Sequence, residues 1–204
     1  MTTQPDPAVG AARRPAPVLN VANGLTGLRL VLVPVFFALT VASRLVHAEL
    51  RMAATTVFVV ASLTDFVDGW IARTWDLVTA FGKVADPIAD KALTGTALVL
   101  LSWYGRLSWW VTAVILVREL AVTLLRLVVI KREVIAASRG GKAKTVLQIL
   151  AISWYLWPFP VYLRGVGLTV LVVAVVVTVL TGADYVVRIV RLRRTGEGVP
   201  PGES

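Results

Sequence analysis

The stretch Asp65-Phe66-Val67-Asp68-Gly69-Trp70-Ile71-Ala72-Arg73 is followed, after eight intervening residues, by Gly82-Lys83-Val84-Ala85-Asp86-Pro87-Ile88-Ala89-Asp90. Its four aspartates sit inside or at the ends of two apolar runs, about Met52 to Ile71 and about Val84 to Tyr104. An unpaired carboxylate is costly in such a place, so something must balance them. Asp65 and Asp68 are three positions apart and Asp86 and Asp90 four, so each pair shares one helix face. The connection from about Thr74 to Phe81 admits only antiparallel neighbours. At 1.5 Å per residue, Asp65 lies roughly 10 Å inside the end of its helix near Ala72, and Asp86 about one turn into the next. All four carboxylates therefore gather at one depth.

Outward from this stretch the chain is a series of apolar runs. Of its 204 residues, 57% are hydrophobic and 16% charged, with a mean hydropathy of +0.77, which exceeds the apolar content of an ordinary water-soluble domain. A helix needs about 20 apolar residues to cross a hydrocarbon core of roughly 30 Å. Runs suited to crossing extend from about Leu25 to Val46, Met52 to Ile71, Val84 to Tyr104, Leu107 to Ile130, Ala143 to Trp157 and Val166 to Ile189. The polar stretch around His47, Glu49 and Arg51 separates the first two, and Pro158 and Pro160 divide the last two. The expected fold class is all-α integral membrane: a six-transmembrane-helix bundle over residues 18–194. Disordered tails are expected at 1–17 and 195–204, with no targeting peptide.

The formal charge is +9. The basic residues lie at the ends of apolar runs rather than in a patch interleaved with aromatics, which points to topology and anionic lipid and to no nucleic acid. Arg13, Arg14, Arg73, Lys83, Lys131, Arg132, Arg139, Lys142, Lys144, Arg188, Arg191, Arg193 and Arg194 share one set of junctions, and only Arg44, Arg51, Arg106 and Arg164 the other. Positive charge stays inside, so both termini and the aspartates are expected at the cytoplasmic face of a bacterial-type plasma membrane. Trp103, Tyr104, Trp109 and Trp110, and Trp154, Tyr155, Trp157 and Tyr162, read as aromatic belts at the opposite interface. The absence of Cys excludes disulfides and thiolate sites, and the single His47 excludes His-rich metal ligation. His47 reads as an interfacial polar residue and Asp184 with Arg188 as an i,i+4 pair.

Four close carboxylates repel one another, and Arg73, Lys83 and Lys91 are too few to neutralise them if they also serve elsewhere. Hard divalent cations are the natural counter-charge, because Mg²⁺ prefers oxygen ligands and tolerates retained waters. Gly69 and Ala72 leave a small-residue surface for a flat ligand or for another helix. Two other readings stand at this level: aspartates that cap helices or form structural ion pairs, and carboxylates that line an ion or proton pathway.

The pattern Asp65-x2-Asp68-Gly69-x2-Ala72-Arg73-x8-Gly82-x3-Asp86-x3-Asp90 resembles, without a missing position, the signature of the CDP-alcohol phosphotransferase family. The likeness runs from Asn23-x2-Thr26-x2-Arg29 to Gly141-Lys142-x-Lys144-Thr145, covering most of the chain. Asn20 to Arg29, Asp86-Pro87-Ile88-Ala89-Asp90-Lys91, Arg118-Glu119-Leu120 and Leu125-Arg126 are most similar to the members that make phosphatidylglycerophosphate. The resemblance implies transfer of a phosphatidyl group from CDP-diacylglycerol to sn-glycerol 3-phosphate, with release of CMP. Relatives that use inositol phosphate or phosphatidylglycerol as acceptor share the core motif.

The same resemblance implies two divalent metal ions, Mg²⁺ or Mn²⁺, on Asp65, Asp68, Asp86 and Asp90, with Asp90 also the catalytic base. It implies a cytidine pocket at Gly69, Ala72 and Gly82, Arg73 on the diphosphate, a membrane-lipid environment and a homodimer. Thr26 and Arg29 line the nucleotide entrance or anchor the first helix. Arg118, Arg126, Lys142 and Lys144 are the cations available to cradle an acceptor phosphate; for Arg126 and the lysines the other reading is a headgroup role, and for Arg118 a structural pair with Glu119. The topology has a direct test in a chain without Cys: Lys83→Cys, Gly140→Cys and Gly196→Cys should react with an impermeant thiol reagent from the cytoplasm, and Arg106→Cys or Arg164→Cys from the opposite side. Labelling of Gly140→Cys and Arg106→Cys from one side would overturn the six-crossing bundle.

Overall fold

The computed structural model describes residues 21–75, 79–129 and 139–195, without the side chains of 22, 72–73, 80–84, 126–129, 139–142 and 188–195. The apolar runs all become helices: α1 (Val21–Ser43), α2 (Ala48–Thr74), α3 (Ala80–Trp103), α4 (Trp109–Val129), α5 (Arg139–Leu156) and α6 (Arg164–Thr195), with a 3₁₀ turn at Val161–Leu163 before the last. The described residues contain no strand. The expected N-terminal tail at 1–17 and residues 196–204 fall outside the described residues, whereas Thr195 closes α6.

By length and composition three helices are apolar enough to cross a membrane, over Asn23–Ser43, Ala48–Ile71 and Val161–Val187. The other three are interrupted by charge: Lys83, Asp86, Asp90 and Lys91 in α3, Arg118, Glu119 and Arg126 in α4, and a basic first turn in α5, whose apolar part is only Ala143–Leu156. The outer surface carries exposed Val31, Leu63, Val117, Leu124, Val172 and Leu180. Water penalises such a surface and hydrocarbon does not.

The first boundary differs from the sequence expectation. Glu49 and Arg51, read as part of a polar separator, lie in the first turn of α2. Arg51 donates through Nε to the Leu156 carbonyl (3.0 Å) and through Nη2 to the carbonyls of Tyr155 (3.2 Å) and Trp157 (2.9 Å). Those carbonyls end α5 and lack helical partners, and a guanidinium both satisfies them and suits the negative end of the helix dipole. The reversal between α1 and α2 is tight: Arg44 and Leu45 have φ of 48° and 53°, and the Leu45 carbonyl accepts from Arg106 Nη2 at 2.6 Å.

α1 packs chiefly along α2 and also along α3, so it forms the third wall of the region where α2 and α3 meet. Phe36 and Phe58 join α1 to α2 with ring centroids 5.6 Å apart, and Ala54, Ala61, Leu93, Leu98, Ile115 and Leu156 complete a buried core. Thr40, Thr55 and Ser62 return their hydroxyls to carbonyls four residues earlier, which satisfies them inside apolar helices. Ser102 and Thr112 hydrogen bond at 2.7 Å between α3 and α4.

α5 and α6 close against each other through a glycine. A Cβ built at Gly167 would stand 2.4 Å from Trp154 Cδ1, and Trp154 is already stacked on Phe159 with centroids 4.3 Å apart. Gly167→Ala should therefore lower thermal stability in detergent by about 1–3 kcal/mol, the usual penalty of overpacking. Gly165→Ala, with nothing within 4 Å of its added Cβ, should be stability-neutral or slightly stabilising and serves as the control. Equal melting temperatures for the two variants would refute the packing role.

Candidate active site

Helix periodicity turns Asp65 and Asp68 of α2, and Asp86 and Asp90 of α3, toward a common region. Asp68 is buried, while Asp65, Asp86 and Asp90 are partly exposed. Asp68 feels the charges of Asp65, Asp86 and Arg29, and Asp90 those of Asp65, Arg29, Lys91 and Lys144. The convergence expected from spacing and the short connection is thus present.

Counter-charge comes from a residue other than Arg73, Lys83 and Lys91, the cations weighed from the sequence. Arg29 of α1, with a side chain 0% exposed, donates through Nη1 to Asp65 at 2.7 Å and through Nη2 to Asp68. Thr26, one turn earlier, donates its hydroxyl to Asp86, and Thr79, just before α3, donates to the Asn23 side-chain oxygen at 3.0 Å. Asn23, Thr26 and Arg29 follow one another at intervals of three, so a single stripe of α1 faces the aspartates. Of the two roles left open for Thr26 and Arg29, neither included a direct pairing with carboxylates. The available signal was a charged residue inside an apolar run, which needs a partner as much as the aspartates do.

A second polar group lies across Asp90. Glu119 of α4 accepts from Lys91 Nζ (3.3 Å), Arg118 Nη1 (3.2 Å) and Lys144 Nζ. Beside it a cavity of about 130 Å³ is lined by Asp90, Lys91, Thr94, Glu119, Lys144, Thr145 and Gln148, together with apolar residues. Gln148 is buried and its Nε2 has no acceptor among the described residues. The two lysines that line the cavity, Lys91 and Lys144, are matched by two carboxylates, Glu119 and Asp90.

Arg118 is turned differently from a ligand-facing cation. Its Nε donates to the Thr178 carbonyl (3.0 Å) and its Nη2 to Thr181 Oγ1 (2.8 Å), both on α6. Gly182 makes this possible, because a Cβ there would meet the Arg118 side chain at 3.0 Å. Lys144, by contrast, reaches the cavity itself. Lys91, Glu119, Thr145 and Gln148 are cavity residues that sequence reasoning assigned no role there; Lys144 and Gln148, four apart on α5, were the readable sign.

Gly69 is part of α2 near Asp68. Ala72 and Arg73 lie toward the end of α2, Gly82 in the first turn of α3, Arg126 in the last turn of α4 and Lys142 in the first turn of α5; their side chains lie outside those described. Four hard oxygen donors on two adjoining helices suit a divalent cation by donor chemistry. Among the described residues, no three of them form a ready-made ligand group, and Arg29 and Thr26 hold three of the four in separate pairings.

Comparison with known proteins bears on this geometry. Residues 19–180 match the family model described as CDP-alcohol phosphatidyltransferase. A probable phosphatidylglycerophosphate synthase of Mycobacterium tuberculosis is 46% identical over 191 residues, covering 94% of this chain and 90% of that protein. CDP-diacylglycerol–glycerol-3-phosphate 3-phosphatidyltransferases of Salmonella typhimurium and Shigella flexneri are 36% and 37% identical over 172 residues, covering 81% of this chain and 92% of each relative. The transport reading of the aspartates gives way to an enzymatic one. Since the match begins ahead of α1 and runs into α6, taking in both aspartate pairs and the α1 stripe that holds them, the chain belongs to the CDP-alcohol phosphatidyltransferase family.

Proposed function

We propose that this integral membrane enzyme transfers the phosphatidyl group of CDP-diacylglycerol to sn-glycerol 3-phosphate, giving phosphatidylglycerophosphate and CMP. The observation that carries the acceptor is the near full-length likeness to relatives whose names specify that reaction. Lys91 and Lys144, both lining the cavity beside Asp90, offer ammonium donors that support an acceptor bringing its own phosphate.

Asp65, Asp68, Asp86 and Asp90 would hold two divalent ions, Mg²⁺ or Mn²⁺. When bound, such a pair stabilises both the entering and the leaving oxygen of a phosphoryl displacement. The chain's own residues do the rest. The acceptor hydroxyl attacks the phosphorus bearing diacylglycerol, the bond from that phosphorus to the CMP oxygen breaks, and Asp90, between the two polar groups, takes the hydroxyl proton. Gly69, Ala72 and Gly82 would admit the cytidine, with Thr26 at its entrance, and Arg73 would hold the diphosphate through fixed guanidinium donors. Lys144 is the acceptor-phosphate contact that the cavity favours, with Lys142 and Arg126 at the adjoining helix ends. Arg118 serves this site through Glu119 and α6. The same reading includes six crossings, cytoplasmic termini and active site, and a homodimer.

Purified protein should release CMP from CDP-diacylglycerol in the presence of Mg²⁺ or Mn²⁺. Chelation, or Asn at Asp65, Asp68, Asp86 or Asp90, should abolish turnover while membrane insertion persists. Full turnover after chelation, or active aspartate variants, would refute the two-metal reading.

The acceptor is tested separately, by offering glycerol 3-phosphate, inositol phosphate and phosphatidylglycerol and identifying the lipid product; glycerol 3-phosphate should be preferred. Lys144→Gln should lower kcat/KM for that acceptor by about tenfold or more, on the order of 1.4 kcal/mol, with the KM for CDP-diacylglycerol nearly unchanged. Preference for inositol phosphate would leave the family chemistry standing and remove the acceptor assignment.

A further inference from the structure

Arg29 takes no part in the reaction just described, yet it is the most deeply buried charged side chain among the described residues. It lies within the apolar span Asn23–Ser43, where a lone guanidinium is strongly unfavourable. Its two terminal nitrogens are spent on Asp65 and Asp68, two of the four carboxylates assigned above to metal. Its Nε is buried with no acceptor among the described residues, so the pocket matches this side chain only in part.

A carboxylate oxygen that accepts an N–H cannot also take a Mg²⁺ at about 2.0–2.1 Å along the same direction, and the two cations repel at that range. Occupation of Asp65 and Asp68 by Arg29 and by metal is therefore at least partly exclusive. We propose that Arg29 is a resident counter-cation of the carboxylate site. It ties α2 to α1 in the metal-free chain and competes with divalent metal for Asp65 and Asp68, so that metal entry draws its guanidinium off one or both. The inference rests on the two-metal reading of the site.

Charge explains why an arginine suits this position. Arg29 bridges Asp65 and Asp68, and losing it would remove positive charge held between two carboxylates that repel each other in a low-dielectric setting. With two divalent ions bound, the displaced guanidinium remains nearby as positive charge when the anionic diphosphate arrives.

The test uses the full chain in detergent, stripped with chelator, and titrates Mn²⁺ by the loss of its free electron-paramagnetic signal, with thermal unfolding in parallel. Wild type is compared with Arg29→Gln and Arg29→Lys. Arg29→Gln should melt lower than wild type without metal, bind Mn²⁺ about tenfold or more tighter, and gain more melting temperature from saturating Mn²⁺. Arg29→Lys keeps the charge but has no planar fork to bridge two carboxylates, and should fall between the two. A side chain that merely filled space would lower the melting temperature of the variant without tightening Mn²⁺ binding. Equal or weaker Mn²⁺ binding by the variants overturns the proposal. If Arg29→Gln does not fold, Arg29→Lys decides it by the same criterion. Failure of the metal reading looks different: wild type binds no Mn²⁺ and keeps full activity after chelation, which overturns both.

Discussion

Carboxylates cannot be placed in an apolar bundle without opposing charge, and the architecture of this chain follows from that constraint. Asp65 and Asp68 belong to α2, but the cation that balances them belongs to α1. Thr26 extends the same face to Asp86 on α3. One stripe of α1 thus joins all three helices, and the apolar core around Phe36 and Phe58 lies farther along the same helix pair. Breaking a buried pair by removing one partner costs far more than an exposed pair contributes, so the relative placement of these helices is set where the charges meet.

Two polar regions of opposite sign adjoin at Asp90. On one side are the aspartates with Arg29; on the other are Lys91, Lys144 and Arg118 gathered on Glu119. Asp90 feels charges from both. Such a boundary puts Asp90 within reach of charge of both signs. Glu119 keeps the cations close together and buried without a ligand.

The sequence made the aspartate pairs legible because helix periodicity and a short connection are local properties. It did not reveal that α1 lies against both α2 and α3, which depends on tertiary packing, so Arg29 was seen only as an entrance or anchor residue. Arg118 was legible as a cation available to an acceptor phosphate or as a pair with Glu119, but no spacing within α4 fixes its rotation toward α6. Gly182, which clears the path for the Arg118 side chain, lies more than sixty positions away. Glu49 and Arg51 looked like a break because they are charged, whereas Arg51 is used inside α2 to satisfy the end of α5. The crossing count meets the same limit: charge within α3, α4 and α5 interrupts apolarity where the site itself is built.

The arginine that reaches from α4 to α6 has a consequence for biosynthesis. A chain is synthesised from its N-terminal end, so α4 is made before Thr178 and Thr181. Until then the Arg118 guanidinium has Glu119 beside it but none of the α6 acceptors that take its Nε and Nη2. The bundle is therefore electrostatically unfinished until its last helix docks, and α6, far from the aspartates in sequence, completes the burial of a charge that arrived some sixty residues earlier.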